Sequence, residues 1–170
     1  CGLVDEDMVD FAVGAGAHAI GFVFVEHSPR YIHRYEAEQL LLQLPDDVVG
    51  VAVLHDSPML HSFANWKGWL QLCGDEDEQM VANAPRPVIK AIQWDREEVL
   101  RWDGCENLSA ILVDGSSGGL GKTFDVSELA EIIPLLQTPI IIAGGLTPAN
   151  VQEVIRVSRP AGVDVSSGVE

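Results

Sequence analysis

Pro139-Ile140-Ile141-Ile142-Ala143-Gly144-Gly145-Leu146-Thr147-Pro148 is the stretch that decides the fold class. An unbroken β-branched run is what a strand covered on both faces looks like. Two glycines stop it. Thr147 then stands where a helix N-cap belongs, with Pro148 in the first turn. A strand that passes through a tight turn straight into a helix is the repeating unit of a parallel α/β sheet.

Working outward in both directions, the same junction recurs. Strand-like runs cover 19–25, 48–54, 69–72, 88–92, 110–113, 139–143 and 162–165, and amphipathic stretches at 5–14, 35–44, 58–65, 75–83, 96–102, 126–136 and 148–157 alternate with them. Asp95 supplies another N-cap, and Gly16 ends the first helix. Cys1-Gly2-Leu3 runs directly into a helix, while Ser166-Ser167-Gly168-Val169-Glu170 follows a strand. A strand before Cys1 and a helix after Glu170 would complete eight βα units. Residues 1–170 are therefore expected to form one α/β domain, a (β/α)8 TIM barrel clipped of its first strand and last helix, with a doubly wound open sheet as the alternative. The natural chain is expected to be longer.

The composition narrows the class of partner. Of 170 residues, 47% are apolar, enough to bury one sizeable core. No apolar run reaches the length of a membrane span and no signal peptide is visible, so a soluble cytoplasmic protein is expected. Ten basic against twenty-six acidic side chains leave a net charge of −16, which argues against nucleic acid as a partner. An anionic small molecule would need a few local cations and oriented backbone N–H groups to reverse that field inside a pocket. Cys1, Cys73 and Cys105 are widely separated and show neither zinc nor redox spacing. A small buried hydrophobe is the favoured reading of Cys105 and one of two equal readings of Cys73.

Three tempting motifs fail on context. Gly14-Ala15-Gly16-Ala17-His18-Ala19 imitates a dinucleotide fingerprint but leaves a helix and enters a strand, the reverse of the required order. Gly121-Lys122-Thr123 imitates the end of a Walker A loop, yet Ser116 stands where its first glycine is needed. Gly115-Ser116-Ser117-Gly118-Gly119 matches a hydrolase elbow around Ser117, but all five histidines precede it. No cofactor and no metal site is expected.

What remains is a set of polar residues at the C-terminal ends of strands, where barrel loops build an active site. Cys1 would end the first strand, Arg30 follows the second, Cys73-Gly74-Asp75-Glu76 follow the fourth, Lys90 lies within the fifth and Asp114 ends the sixth. Gly144 and Gly145 end the seventh, and Asp164-Val165-Ser166-Ser167-Gly168 close the eighth. Glycines and serines in the last two loops suit a phosphate dianion, because backbone N–H groups approach closely where side chains are absent and helix N-termini add positive potential. Ordinary tight turns are the plain alternative.

These words, in this order along one barrel, resemble the phosphoribosylanthranilate isomerase family. They are Cys1-Gly2-Leu3, Gly21-Phe22-Val23-Phe24 with Ser28-Pro29-Arg30-Tyr31, Gln71-Leu72-Cys73-Gly74-Asp75-Glu76, Ile89-Lys90-Ala91, Val113-Asp114, Gly118 to Asp125, Ala143-Gly144-Gly145-Leu146 with Asn150-Val151, and Asp164 to Glu170. The resemblance implies a cofactor-free Amadori rearrangement in tryptophan biosynthesis, converting N-(5-phosphoribosyl)anthranilate into 1-(2-carboxyphenylamino)-1-deoxyribulose 5-phosphate. It implies Asp114 as general acid toward the furanose oxygen and Cys1 as the thiolate base at C2. An acid near neutral pH needs a carboxyl held above its ordinary range, which burial or a neighbour such as Asp164 can provide. A thiol of ordinary pKa about 8.5 ionises more readily beside a helix N-terminus, here the one at Asp5. Arg30 is implied as the fork that meets the anthranilate carboxylate. Gly144, Gly145, Ser166, Ser167 and Gly168 are implied as the phosphate cradle, with Cys73 and Asp164 as further pocket contacts.

The family usually carries histidine where Cys73 stands, a small residue at Leu120, tryptophan at Val126, and Lys-Ile before Cys1. Two rivals remain. The sugar-phosphate isomerase of histidine biosynthesis uses aspartate at the place of Cys1, and a non-catalytic phosphate-binding barrel would have no reason to keep both Cys1 and Asp114. The expected partner is a phosphorylated aminosugar. Monomer, homodimer and fusion to another tryptophan-pathway enzyme are all left open.

Overall fold

A computed structural model of the chain describes residues 1–115 and 126–169. Among these lie the seven expected strands and six α-helices, in two compact units, Cys1–Val88 and Ile89–Glu170.

In the first unit, α1 (Glu6–Gly14) precedes β1 (Ala19–Val23), α2 (Arg34–Gln43), β2 (Val49–Leu54), β3 (Gly68–Leu72) and α3 (Glu78–Ala82). The strands pair in parallel in chain order, with Phe22 beside Ala52 and Ala52 beside Leu70. Their near-continuous apolar sequence is buried on both faces. Phe22, Phe24 and Phe63 each meet Trp66 edge-on, and the Phe24 and Phe63 rings are tilted to one another with centroids 5.2 Å apart. The Trp66 indole N–H donates to the Gly50 carbonyl at 3.1 Å. Gly68 sits beside Gly50 in the ladder, and a Cβ on it would collide with that same carbonyl, so glycine here keeps the ladder shut around the indole.

The second unit holds β4 (Val88–Gln93, from its second residue on), α4 (Arg96–Trp102), β5 (Leu108–Asp114), α5 (Val126–Ile132), β6 (Ile140–Ala143), α6 (Val151–Ser158) and β7 (Gly162–Val163). Its strands also follow chain order, and β5–β6 and β6–β7 are parallel. Neither unit, among the described residues, contains the reversal of strand order that a doubly wound sheet requires. At the end of the strands remote from the candidate loops, Asp103 accepts the N–H groups of Gln137 and Thr138 at 2.9 and 2.8 Å, and the Thr138 hydroxyl accepts from Gly104 N–H at 2.9 Å.

Several sequence expectations are corrected in detail. The stretch 58–65 forms a 3-10 helix at Leu60–Asn65 and no α-helix. Asp77 caps α3 by accepting from Met80 N–H, which shortens the helix expected over 75–83. Thr147 does not cap α6; that helix starts three residues later, behind Asn150. Cys73 and Cys105 are part-exposed, not buried. By contrast, α4 has the expected limits, and Asp95 caps it by accepting from Glu98 N–H. Gly16, at φ +92°, ends α1 as expected.

Candidate active site

The first unit gathers Cys1 and Arg30. Gly2 and Leu3 donate N–H bonds to the Gly21 carbonyl at 2.8 and 3.2 Å, which lays the opening residues along β1. Cys1 Sγ then occupies the space over Gly21: a Cβ there would stand 2.6 Å from the sulfur. Gly2 has φ +80°, and the aliphatic stem of Arg30 packs against the place where a Gly2 side chain would be. The segment carrying Arg30 is bent back onto β1, with Ile32 N–H donating to the Val23 carbonyl at 3.0 Å and Arg30 N–H to the Ser28 hydroxyl at 3.1 Å. A half-buried thiol thus packs over one glycine, and the stem of a guanidinium side chain over another.

The next two strand ends are laced together by carboxylates. Glu76 is only 4% exposed and accepts from Asp56 N–H, after β2, and Gly74 N–H, after β3, both at 2.9 Å. Asp56, at φ +46°, accepts in turn from Asp75 N–H at 2.6 Å. Cys73 is held in this lacing by its N–H bond to the Leu54 carbonyl, and the buried Gln71 amide donates to its sulfur at 3.4 Å.

In the second unit, Asp114 ends β5 beside Ala143, and its carbonyl accepts from Trp94 N–H at 3.1 Å. Asp164 follows β7, anchored by its N–H bond to the Ile142 carbonyl at 2.9 Å. Burial first, and then the charge of Asp114, raise the Asp164 carboxyl above its ordinary value, against an opposing hydrogen bond from Val165 N–H. The structure therefore brings Asp114 and Asp164 into electrostatic contact. Gly144 and Gly145 turn the chain at φ +86° and +64°. Ser166, Ser167 and Gly168 form the other loop, with a 3-10 turn at Ser167–Val169. The two loops touch, since a Cβ at Gly168 would collide with the Leu146 carbonyl. Lys90 is buried with Nζ 5.6 Å from the centre of the Trp102 ring on α4. Among the described residues no three His, Cys, Asp or Glu side chains gather as a metal-ligand set.

The sequence profile of the N-(5'-phosphoribosyl)anthranilate (PRA) isomerase family matches residues 1–170. The chain belongs to the phosphoribosylanthranilate isomerase family. The N-(5'-phosphoribosyl)anthranilate isomerase of Marinomonas sp. (strain MWYL1) is 37% identical over 183 residues, covering 100% of this chain and 86% of that protein. The solved structure of phosphoribosyl anthranilate isomerase from Thermotoga maritima superposes with TM-score 0.91 at 34% identity, over 100% of this chain and 87% of that one. A solved phosphoribosyl anthranilate isomerase in complex with reduced 1-(o-carboxyphenylamino)-1-deoxyribulose 5-phosphate gives TM-score 0.87 at 32% identity, over 100% and 86%. The fold class is that of the phosphoribosylanthranilate isomerases, an α/β TIM barrel, here with seven strands among the described residues, in agreement with the clipped (β/α)8 pattern expected.

The hydrogen bonds of Gln71, Glu76 and Asn150, to which the sequence reading gave no role of their own, emerge from the structure. Asn150 stands at the N-cap position of α6 but makes no side-chain cap bond, so residue type gave no signal for the bonds its amide makes to Gly145 and Thr147. Ser116, Ser117 and the Gly118 to Asp125 word lie outside the described residues. Among the described residues no helix is long and apolar enough to cross a membrane.

Proposed function

We propose that this chain isomerises N-(5-phosphoribosyl)anthranilate to 1-(2-carboxyphenylamino)-1-deoxyribulose 5-phosphate by an Amadori rearrangement, the step its relatives' names describe, as part of tryptophan biosynthesis. The observation that carries the reading is the family match over residues 1 to 170, in a chain that has Asp114 at the end of β5 and the Cys1 sulfur over Gly21 of β1. Asp114 delivers a proton to the furanose ring oxygen, the C1–O bond breaks, and nitrogen lone-pair donation leaves a protonated Schiff base. That cation acidifies the C2 proton, which the Cys1 thiolate removes to give an enolamine. The enolamine tautomerises to the aminoketose, and the proton taken by sulfur returns to solvent or product.

Arg30 meets the anthranilate carboxylate through its planar fork. Gly144, Gly145, Ser166, Ser167 and Gly168 receive the phosphate, and the contact between their two loops supports a shared cradle. Cys73 and Asp164 contribute to the pocket, Asp164 as a carboxyl whose pKa is raised by burial and by the charge of Asp114. The ligand is a phosphorylated aminosugar.

Decay of substrate fluorescence tests the assignment. Wild-type protein is expected to convert the substrate, and Cys1→Ser and Asp114→Asn are each expected to lose turnover by about a thousandfold or more, in line with loss of a general base or acid, while still binding the reduced product analogue. Full activity in either variant removes that residue from the chemistry.

A further inference from the structure

The Gly144-Gly145 turn has little stiffness of its own, because adjacent glycines have the widest conformational freedom in the chain. Both sit at positive φ and hold one shape only if something outside the pair holds them. The Asn150 carboxamide does so. Its Nδ2 donates to the Gly145 carbonyl at 2.9 Å, and its Oδ1 accepts from Thr147 N–H at 2.8 Å. The two partners, one an acceptor and the other a donor, fix which end of the amide is oxygen. Asn150 N–H also donates to the Thr147 carbonyl at 3.1 Å, closing a small ring over the turn. Aspartate would keep the acceptor and lose the donor; serine cannot span both sites.

We infer that Asn150 is a positioning residue for the substrate phosphate, the clasp that sets the Gly144-Gly145 backbone in an anion-binding shape. The inference rests on the isomerase reading above. Since the neighbouring loop touches this one at Gly168 and Leu146, the clasp also sets the surface against which Gly168 lies. The phosphate takes no part in bond making, and its contacts are assigned here to uniform binding of ground and transition states, whose loss raises KM without lowering kcat.

The experiment measures kcat, KM and competitive inhibition by inorganic phosphate for the wild type, Asn150→Ala and Asn150→Asp, with thermal melts of all three. Asn150→Ala is expected to raise KM and the phosphate inhibition constant by about tenfold each, the scale of one or two lost hydrogen bonds, with kcat within about threefold. Asn150→Asp, nearly the same shape, is expected to raise both further, because its charge repels the anion, and it decides the matter if the alanine variant fails to fold. A wild type that turns over substrate while Asn150→Asp keeps KM and phosphate inhibition within twofold overturns the clasp and leaves the isomerase reading standing. A fall in kcat with KM unchanged overturns it as well. A wild type that binds phosphate more tightly than both variants but never turns over substrate sinks the isomerase reading and supports the clasp.

Discussion

A methyl group on residue 21 would stand 2.6 Å from the Cys1 sulfur and 3.3 Å from its Cβ, closer than carbon and sulfur tolerate. Gly21→Ala keeps an ordinary strand backbone but moves the thiol, and displacement of a reacting group by a fraction of an ångström to an ångström costs up to about a hundredfold in rate. We expect kcat to fall by roughly that factor, with a melting curve close to wild type; unchanged kcat would mean that the sulfur's place over Gly21 does not matter. Asp164 offers a different test. Its folded-state pKa lies above the ordinary 3.8, so ionising it opposes folding: the penalty is absent below that ordinary value and grows as pH rises toward and through the raised one. Asp164→Asn is therefore expected to melt higher than wild type at pH 7 and no higher at pH 3, while binding substrate less well. Equal melting temperatures at both pH values would refute this. The places of Asp114 and Asp164 at strand ends were legible in the sequence because β-branched runs are easy to locate. The packing around Arg30 was not, since the room that Gly2 makes for it depends on a contact between residues remote in the chain.

Elements whose ends carry a local chemical signal were the legible ones. The limits of α4 follow from Asp95 and its bond to Glu98, a signal contained within four residues. Where no side chain caps the start, as at α6, the Thr147-Pro148 signal misleads by three residues, and the Asn150 amide is turned upstream to the Gly145 carbonyl, which only the folded turn presents. The 3-10 helix at Leu60–Asn65 shows the same dependence on context, because Arg34, from α2, donates to the Ser62 carbonyl at 3.0 Å and lies over the Phe63 ring at 4.6 Å. The Asp103 clasp gives a prediction at this scale. Asp103→Ala leaves the Gln137 and Thr138 N–H groups without their acceptor, at a cost of about 1–3 kcal/mol, and Asp103→Asn should recover part of it. Denaturant unfolding measures the loss. Because the clasp lies at the strand ends opposite the candidate loops, kcat and KM of the folded fraction should not change.

The whole chain carries a charge of −16, a property read from composition alone, and self-repulsion at that level works against compactness. Raising sodium chloride from about 10 mM to about 200 mM shortens the Debye length from roughly 30 Å to under 10 Å. The thermal midpoint should rise over that range by several degrees; a flat or falling midpoint would show that local pairing already neutralises the field. Fold class was the most legible property at this scale, since strand and helix periodicity repeat many times and errors at single ends do not accumulate. The lacing of strand ends by Glu76 and Asp56 was the least legible, because a buried carboxylate served by backbone N–H groups looks in sequence like one more member of an acidic surface.

Gly168 has no room for a side chain because its neighbour's backbone oxygen is already there. Anyone seeking to retune this enzyme for a bulkier or differently charged sugar ester by diversifying one turn at a time will find most changes at position 168 rejected. Their damage would be registered around Leu146, where nothing was altered, and productive variants should come from libraries in which residues 144–147 and 166–168 are varied together.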